Sequence, residues 1–289
     1  MRKNAIVIAA IVASLCFLAD GVHAGDLLKR VSLKLSPGFR SLMLKDLDGL
    51  EQNLDPELIQ APLNSGFTRT GDVKGLSMGI DYLAELLVTP ARNFDIGIEV
   101  GAFRFGKQSQ ILMTNDDVTM EILIRPRLIV IPLAFSLYYH LPITSSFRMN
   151  TYVFAGGDYS FATMDWSLSS EDFGREVQFQ AKSRGLGFHG GLGYEFQVIS
   201  PLSLFAEFVG KVCSLKYWRG EAIRTADGAE ISSDGNLWKY EEKNEESGNW
   251  YTKVDFSAEE PSADTVRKVG RFAGSLTGIS VRMWVRFRL

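Results

Sequence analysis

The feature that most constrains the fold of this chain is a run of apolar residues at every second position over 279–289, separated by polar residues and by Trp284. Because successive side chains of a β-strand point to opposite faces, this spacing predicts a strand with one apolar face. The other face carries Arg282, Arg286 and Arg288. Burying three guanidinium groups in a protein core is costly. The pattern therefore favours a strand that lines a water-bearing or ion-paired lumen over a strand of a soluble periplasmic sandwich.

Similar alternation recurs along most of the chain, in residues 31–36, 76–82, 94–102, 128–140, 149–161 and 185–212. The outward face of segment 149–161 stays open, since Tyr152 and Phe154 compete with Val153 and Tyr159. The connections alternate in length: 83–93, 141–148 and 199–201 are short, whereas 43–74, 106–125, 162–184 and 217–269 are long. Short periplasmic turns and long extracellular loops are typical of outer-membrane barrels.

Two segments resemble bacterial outer-membrane proteins. The ending, with Phe287 and Leu289 at its last apolar positions, resembles the C-terminal strand that the barrel assembly machinery reads in that family, where the usual final residue is Phe. Residues 187–208, GFHGGLGYEFQVISPLSLFAEF, resemble a hairpin of the small barrels of the OmpW and OmpX type. Pattern and resemblance together predict an all-β, up-and-down, antiparallel transmembrane β-barrel of about eight strands with long extracellular loops.

The N-terminus predicts export. Arg2 and Lys3 precede a nearly pure apolar run at residues 5–18, and Ala24 ends a stretch of small residues suited to cleavage. We therefore expect a signal peptide at residues 1–24 and a single barrel domain at residues 25–289, located in the outer membrane of a Gram-negative bacterium. The net charge of -3 gives no indication of nucleic-acid binding.

The predicted inward faces carry many charged residues. They are Lys34, Asp81, Asp95, Glu99, Glu195, Glu207, Lys211, Arg282, Arg286 and Arg288. One interpretation is a polar pathway or gate. The other, which we favour, is an ion-pair network that fills the interior, because an eight-stranded barrel is only wide enough for side chains.

The fourth long connection, residues 217–269, is the strongest candidate for a binding surface. It places Trp238, Tyr240, Trp250 and Tyr251 among lysines and glutamates, and exposed aromatic residues beside charges often mark binding sites. The alternative is that this segment folds as a hairpin extending the barrel, with these rings as its small core.

His189 is the candidate for catalysis. Outer-membrane lipid A deacylases place His and Ser two residues apart, but Gly191 occupies that position here. No spacing indicates a metal or cofactor site. The sequence thus predicts a non-enzymatic surface or envelope-integrity protein that meets outer-membrane lipids, lipopolysaccharide or an extracellular ligand through its fourth loop. Alternatives are a small-solute transport barrel or narrow pore and, less favoured, a lipid hydrolase.

Overall fold

A computed structural model of the chain describes residues 30–43, 67–71, 78–116, 118–142, 149–170, 175–226, 228–243, 248 and 250–288. Every regular element in these ranges is a β-strand, which confirms the predicted all-β class. No helix within the same ranges has the length and apolar character needed to cross a membrane. The predicted signal peptide at residues 1–24 and the final residue, Leu289, lie outside the described residues.

The described residues form thirteen strands. They are β1 (Val31–Met43), β2 (Thr68–Thr70), β3 (Met78–Ala91), β4 (Phe94–Gly106), β5 (Ser109–Thr114), β6 (Thr119–His140), β7 (Met149–Ser170), β8 (Arg175–Ile199), β9 (Leu202–Ala226), β10 (Ala229–Lys243), β11 (Trp250–Ser257), β12 (Val266–Arg271) and β13 (Gly274–Arg288). This differs from the predicted count of about eight, because β2, β5, β10, β11 and β12 lie in segments that the sequence predicted as loops.

The long strands pair in a closed series. β1 pairs with β3 on one side and with β13 on the other. The antiparallel pairings continue from β3 through β4, β6, β7, β8 and β9 to β13. The series returns to its first strand, so these strands enclose an interior. The short strands attach at its rim, β5 on β6, β2 on β5, and β10 on β9 with β11 and β12 beside it.

The two ends of this ring differ. The short-turn end carries the tight turns at residues 92–93 and 200–201. The opposite, extended end is built by hairpins, since β8 and β9 each have 25 residues, about 80 Å of strand at roughly 3.3 Å per residue. The prediction of long loops at residues 106–125, 162–184 and 217–269 is therefore wrong. The described parts of these segments are largely paired strand.

Large apolar side chains are exposed on the outward face nearest the short-turn end. Phe188 is 75% exposed and Leu186 is 70% exposed. We call this outward surface the apolar belt. Its exposed members include Leu35, Phe39, Ile80, Tyr82, Ile131, Phe135, Leu137, Val153, Phe161, Leu192, Phe196, Leu204, Phe208, Val212, Ile279, Val281 and Met283. Soluble monomers rarely expose a contiguous apolar surface of this extent.

The structure shows which face of β7 points outward, which the sequence left open. Tyr152 and Phe154 are buried in the interior, whereas Val153 and Phe161 are exposed and belong to the apolar belt. The aromatic rings of Tyr152 and Phe154 therefore pack inside the ring rather than in the belt.

The polarity of the two faces inverts towards the extended end. On β6 the outward residue changes from Leu137 to Arg127, while the inward residue changes from Ser136 to Leu128. β9 repeats this change, because inward Glu207 and Lys211 are followed by the buried side chains of Cys213, Leu215 and Trp218. On β6 the alternation continues without interruption. On β9 it shifts by one residue at Tyr217, whose φ is 59°, and then continues, so both strands extend far beyond the predicted segments.

Candidate functional site

The interior nearest the short-turn end contains buried charges, and Lys34 lies at their centre. Its Nζ atom is 2.7 Å from Oε1 of Glu207 and 3.1 Å from Oε2 of Glu85. All three side chains are fully buried. β1, which carries Lys34, and β9, which carries Glu207, are separated by β13, so this ion pair crosses the interior rather than joining neighbouring strands.

Aromatic side chains surround this triplet and donate hydrogen bonds to its carboxylates. Tyr138 donates its hydroxyl to Glu85 at 2.7 Å, and Tyr152 donates to Glu207 at 2.6 Å. Trp284 donates its indole N–H to Glu207. The Lys34 ammonium lies 4.6 Å from the centre of the Trp284 ring and 4.8 Å from that of Tyr138, which is within cation–π range. The charges are thus paired and enclosed.

A second group of charges lies beside the first, on β13, β4, β3 and β1. Arg282 approaches Glu99 at 3.0 Å and Asp81 at 3.8 Å. Arg40 lies 3.5 Å from Asp81, and its guanidinium carbon lies 3.7 Å from the centre of the Phe103 ring. Arg40 therefore stands between the charged part of the interior and the apolar part that follows.

Glycines make room for these side chains. A Cβ atom built at Gly38 would overlap the Asp81 carboxylate, and one built at Gly97 would overlap the Glu85 carboxylate. Both glycines lie on the inward face, where side chains from all strands converge.

The short-turn end opens into a vestibule of about 720 Å³. Asp95 accepts a hydrogen bond from Thr89 at 2.6 Å and contacts Arg286 at 3.3 Å. Glu195 contacts Arg286 at 3.8 Å and Arg288 at 3.1 Å. The predicted inward residues of this end are therefore brought together in one polar mouth.

A third group contains the candidate His189. Its Nε2 atom is 2.8 Å from Oγ of Ser136, and its Nδ1 atom is 3.8 Å from Oδ1 of Asp158. Asp158 also accepts hydrogen bonds from Lys211 at 2.8 Å and from Ser160 at 2.6 Å. The order Ser–His–Asp matches that of a hydrolytic triad, but the His–Asp separation exceeds hydrogen-bond distance and all three side chains are buried in the interior.

Three of these buried charges were not among the predicted residues. Arg40 is in phase with Lys34 on β1, and Glu85 is in phase with Asp81 on β3. Both lie beyond the segments in which the sequence predicted strands. Asp158 lies on β7, the strand whose inward face could not be chosen from the sequence.

Beyond these charges the interior becomes apolar. Phe105 and Leu128 are fully buried, as are Met164 and Val130 on neighbouring strands, and Trp218 is 1% exposed. We call this part of the interior the apolar plug. These side chains belong to one cluster of buried apolar residues at the extended end.

The four predicted loop aromatics divide into two pairs. Trp238 and Tyr240 are buried at 6% and 7% exposure, and the Trp238 indole donates to the carbonyl of Ser257 at 3.1 Å. Trp250 and Tyr251 are half-buried. They belong to the β10–β11 hairpin, so the alternative in which this segment extends the ring describes it better than an exposed aromatic surface.

Ion pairs and hydrogen bonds connect β10 to β11 and to β12. Arg267 and Lys268 each bind Glu241 at 2.7 Å, and the hydrogen bonds from Lys268 and then Arg267 hold the pKa of Glu241 below its usual range. Tyr251 and Lys253 bind Glu242 at 2.8 Å and 2.9 Å. In the part of the chain that the structure describes, no group of three or more His, Cys, Asp or Glu side chains is arranged to hold a metal ion.

No family model matches this chain, and no curated protein matches it. Among solved structures, it is similar to a major outer membrane protein from Thermus thermophilus, with 10% identity and a TM-score of 0.40 over 89% of this chain and 99% of that chain. It is also similar to the outer membrane protein OprG from Pseudomonas aeruginosa, with 15% identity and a TM-score of 0.38 over 89% of this chain and 96% of that chain. Both neighbours are outer-membrane proteins, the class that the sequence resembles, and at this similarity nothing about either protein is transferred to this chain.

Proposed function

We propose that the chain is an eight-stranded, up-and-down outer-membrane barrel with a closed interior. In this proposal it is not an enzyme and acts through its extended end, as a surface or envelope-integrity protein or by binding an extracellular ligand. Its surroundings are outer-membrane lipids and lipopolysaccharide, and the barrel assembly machinery inserts it.

The observation that carries the proposal is the inversion of polarity along the same strands. Below the inversion, apolar side chains such as Phe188 and Phe135 face outward and charges such as Lys34 and Glu207 face inward. Above it, Arg127 faces outward and the interior is apolar. The lower part is organised like a protein in lipid and the upper part like a protein in water. The closed pairing series supports insertion, because a membrane-spanning sheet requires closed edges.

The filled interior favours a surface role over transport. Lys34, Phe105 and Met164 have no exposed area, and Trp284 has 1%. Charged residues at the short-turn end and the apolar plug at the extended end thus close the interior by two different means. The vestibule of about 720 Å³ is the observation that favours transport, since it gives solutes a polar mouth.

Hydrolysis is the least favoured alternative. Ser136, His189 and Asp158 have a triad's order, but an acyl substrate would have to reach a serine that is 1% exposed. We expect a fluorophosphonate probe to leave Ser136 unlabelled in the folded protein. Labelling of Ser136 that disappears in His189→Ala would overturn the non-enzymatic proposal.

The experiment that tests the proposal begins with insertion. Protein refolded in detergent is mixed with phosphatidylcholine vesicles, and we expect it to float with them and to migrate differently on gels before and after heating. Protein that stays soluble without detergent and remains at the bottom of the gradient would refute the membrane barrel.

Inserted protein is then measured in a planar bilayer, with an open porin as positive control. We expect no channel current. A steady conductance that changes in Arg282→Ala would contradict the closed interior and favour the transport alternative.

The surface role is tested in cells that produce either the intact chain or a variant whose hairpin from β10 to β11 is replaced by a short turn. We expect the variant to insert normally and to lose protection against detergents or binding to its partner. Equal behaviour of both chains would argue against a role for this hairpin.

A further inference from the structure

Basic side chains occupy the outward face immediately above the apolar belt. Arg104 on β4 and Arg127 on β6 are the first outward residues beyond the belt, and Arg184 holds the same position on β8. We call this set the basic collar. Its exposed members are Arg104, Arg125, Arg127, Lys182, Arg184 and Lys216. No carboxylate lies within salt-bridge distance of these side chains among the residues that the structure describes.

The collar covers only one sector of the ring. It lies on β4, β6, β8 and β9, whereas the outward residues at this level on β13 and β1 are uncharged, for example Thr277 and Ser41. The outward residues of β7 between β6 and β8, Thr163 and Asp165, are not basic either. The basic side chains are still concentrated on this side of the ring, where a negatively charged ligand would meet them.

The same sector contains a groove of about 580 Å³ on the outer surface. Arg104, Arg125 and Arg127 line it together with Asp165 and Glu221, and Asp165 is the direct neighbour of Arg127 across the β6–β7 pair. Asp165 already accepts a hydrogen bond from Gln180 at 2.9 Å. The three arginines form no salt bridge with a described carboxylate, so their charge is available to an anion, and the two carboxylates suit the hydroxyl or amino groups of a polar headgroup.

We propose that this groove binds the phosphate-bearing headgroup of a lipid in the outer leaflet. Arginine recognises phosphate through paired, charge-assisted hydrogen bonds. The proposal rests on the proposed function, because the groove lies at headgroup level only if the apolar belt lies in the hydrocarbon. The belt then provides a surface for the acyl chains directly below the arginines, along Ile131, Phe161 and Leu186. A soluble anion has no acyl chains and would therefore make no contact with the apolar belt.

The test compares two variants that each lose two positive charges. Arg125→Gln with Arg127→Gln removes charge from the groove. Arg69→Gln with Lys243→Gln is the matched control, because both side chains are exposed on strands outside the groove. Each protein is placed in phosphatidylcholine nanodiscs containing lipid A, and the retained lipid A is counted by native mass spectrometry.

We expect the wild-type and control proteins to retain lipid A, and the groove variant to bind it about 30-fold more weakly, as expected for the loss of two basic residues at an anionic surface. Equal retention by all three proteins would overturn the proposal, as would equal retention of lipid A stripped of its phosphates. Displacement of lipid A by inorganic phosphate would assign the groove to a free anion instead. Flotation with vesicles is measured in parallel, so that a failure to insert is distinguished from a failure to bind the lipid.

Discussion

Replacing Lys34 with Met tests whether the buried charges stabilise the barrel as a unit. Among the described residues, its ammonium group is the cation within salt-bridge distance of both Glu85 and Glu207, at 3.1 Å and 2.7 Å. Met fills a similar volume but leaves both carboxylates buried without their partner. Breaking a buried ion pair in this way costs about 3–5 kcal/mol. We expect the free energy of unfolding to fall by that amount.

The assay is equilibrium unfolding in urea, with the protein in lipid vesicles and the fluorescence of its tryptophans as the signal. Trp284 donates to Glu207, so its emission reports directly on this cluster. The matched control is Lys243→Met, which removes an exposed lysine from β10 and should change stability by less than about 0.5 kcal/mol.

A further variant separates charge from shape. Combining Lys34→Met with Glu85→Gln and Glu207→Gln removes the unpaired charges, and much of the lost stability should return. If Lys34→Met matches the Lys243→Met control, then the buried charges are not coupled and the ion-pair interpretation is wrong.

Three other outcomes follow from the structure. Gly193→Ala should destabilise the protein by about 1–3 kcal/mol in urea unfolding, because the added Cβ overlaps the Tyr152 ring, whereas Gly157→Ala meets no atom closer than 3.7 Å and should behave as wild type. Cys213, which has no exposed area, should resist thiol reagents until urea unfolds the chain, as peptide mapping would detect. The ion pairs of Glu241 contribute stability above the ordinary glutamate pKa of roughly 4.3, and this stability is lost as the pH falls through the lowered pKa. The protection of amides in β10 and β12 against hydrogen exchange, taken relative to the intrinsic rate at each pH, should therefore fall only in that acidic range.

The inward charged residues could be predicted from the sequence wherever apolar and polar residues alternate regularly along one strand. Lys34, Glu207 and Arg282 were found in this way, because a polar residue that recurs at every second position beside exposed apolar residues can only face the interior. Arg40 was missed because Pro37 and Gly38 interrupt the pattern before it.

The contacts between side chains on different strands could not be predicted from the sequence. Ser136 and His189 lie 53 positions apart and meet on strands separated by β7, so their distance depends on how the ring closes and on the stagger between strands. The extended end was misassigned for a different reason. Its alternation has the opposite polarity to that of the belt, and a search for outward apolar residues therefore ends where the strands continue.

The proposed closed interior contains two successive obstacles to an ion, and substitutions can test each of them separately. An ion from the vestibule would first meet the cluster of Lys34 and Trp284, and then the apolar plug around Phe105 and Met164. Removing one obstacle leaves the other in place. We expect Trp284→Ala and Phe105→Ala to be silent in planar bilayers, and current to require both substitutions. Conduction by either single variant would mean that one part of the interior is already open, and that the vestibule leads to a pore.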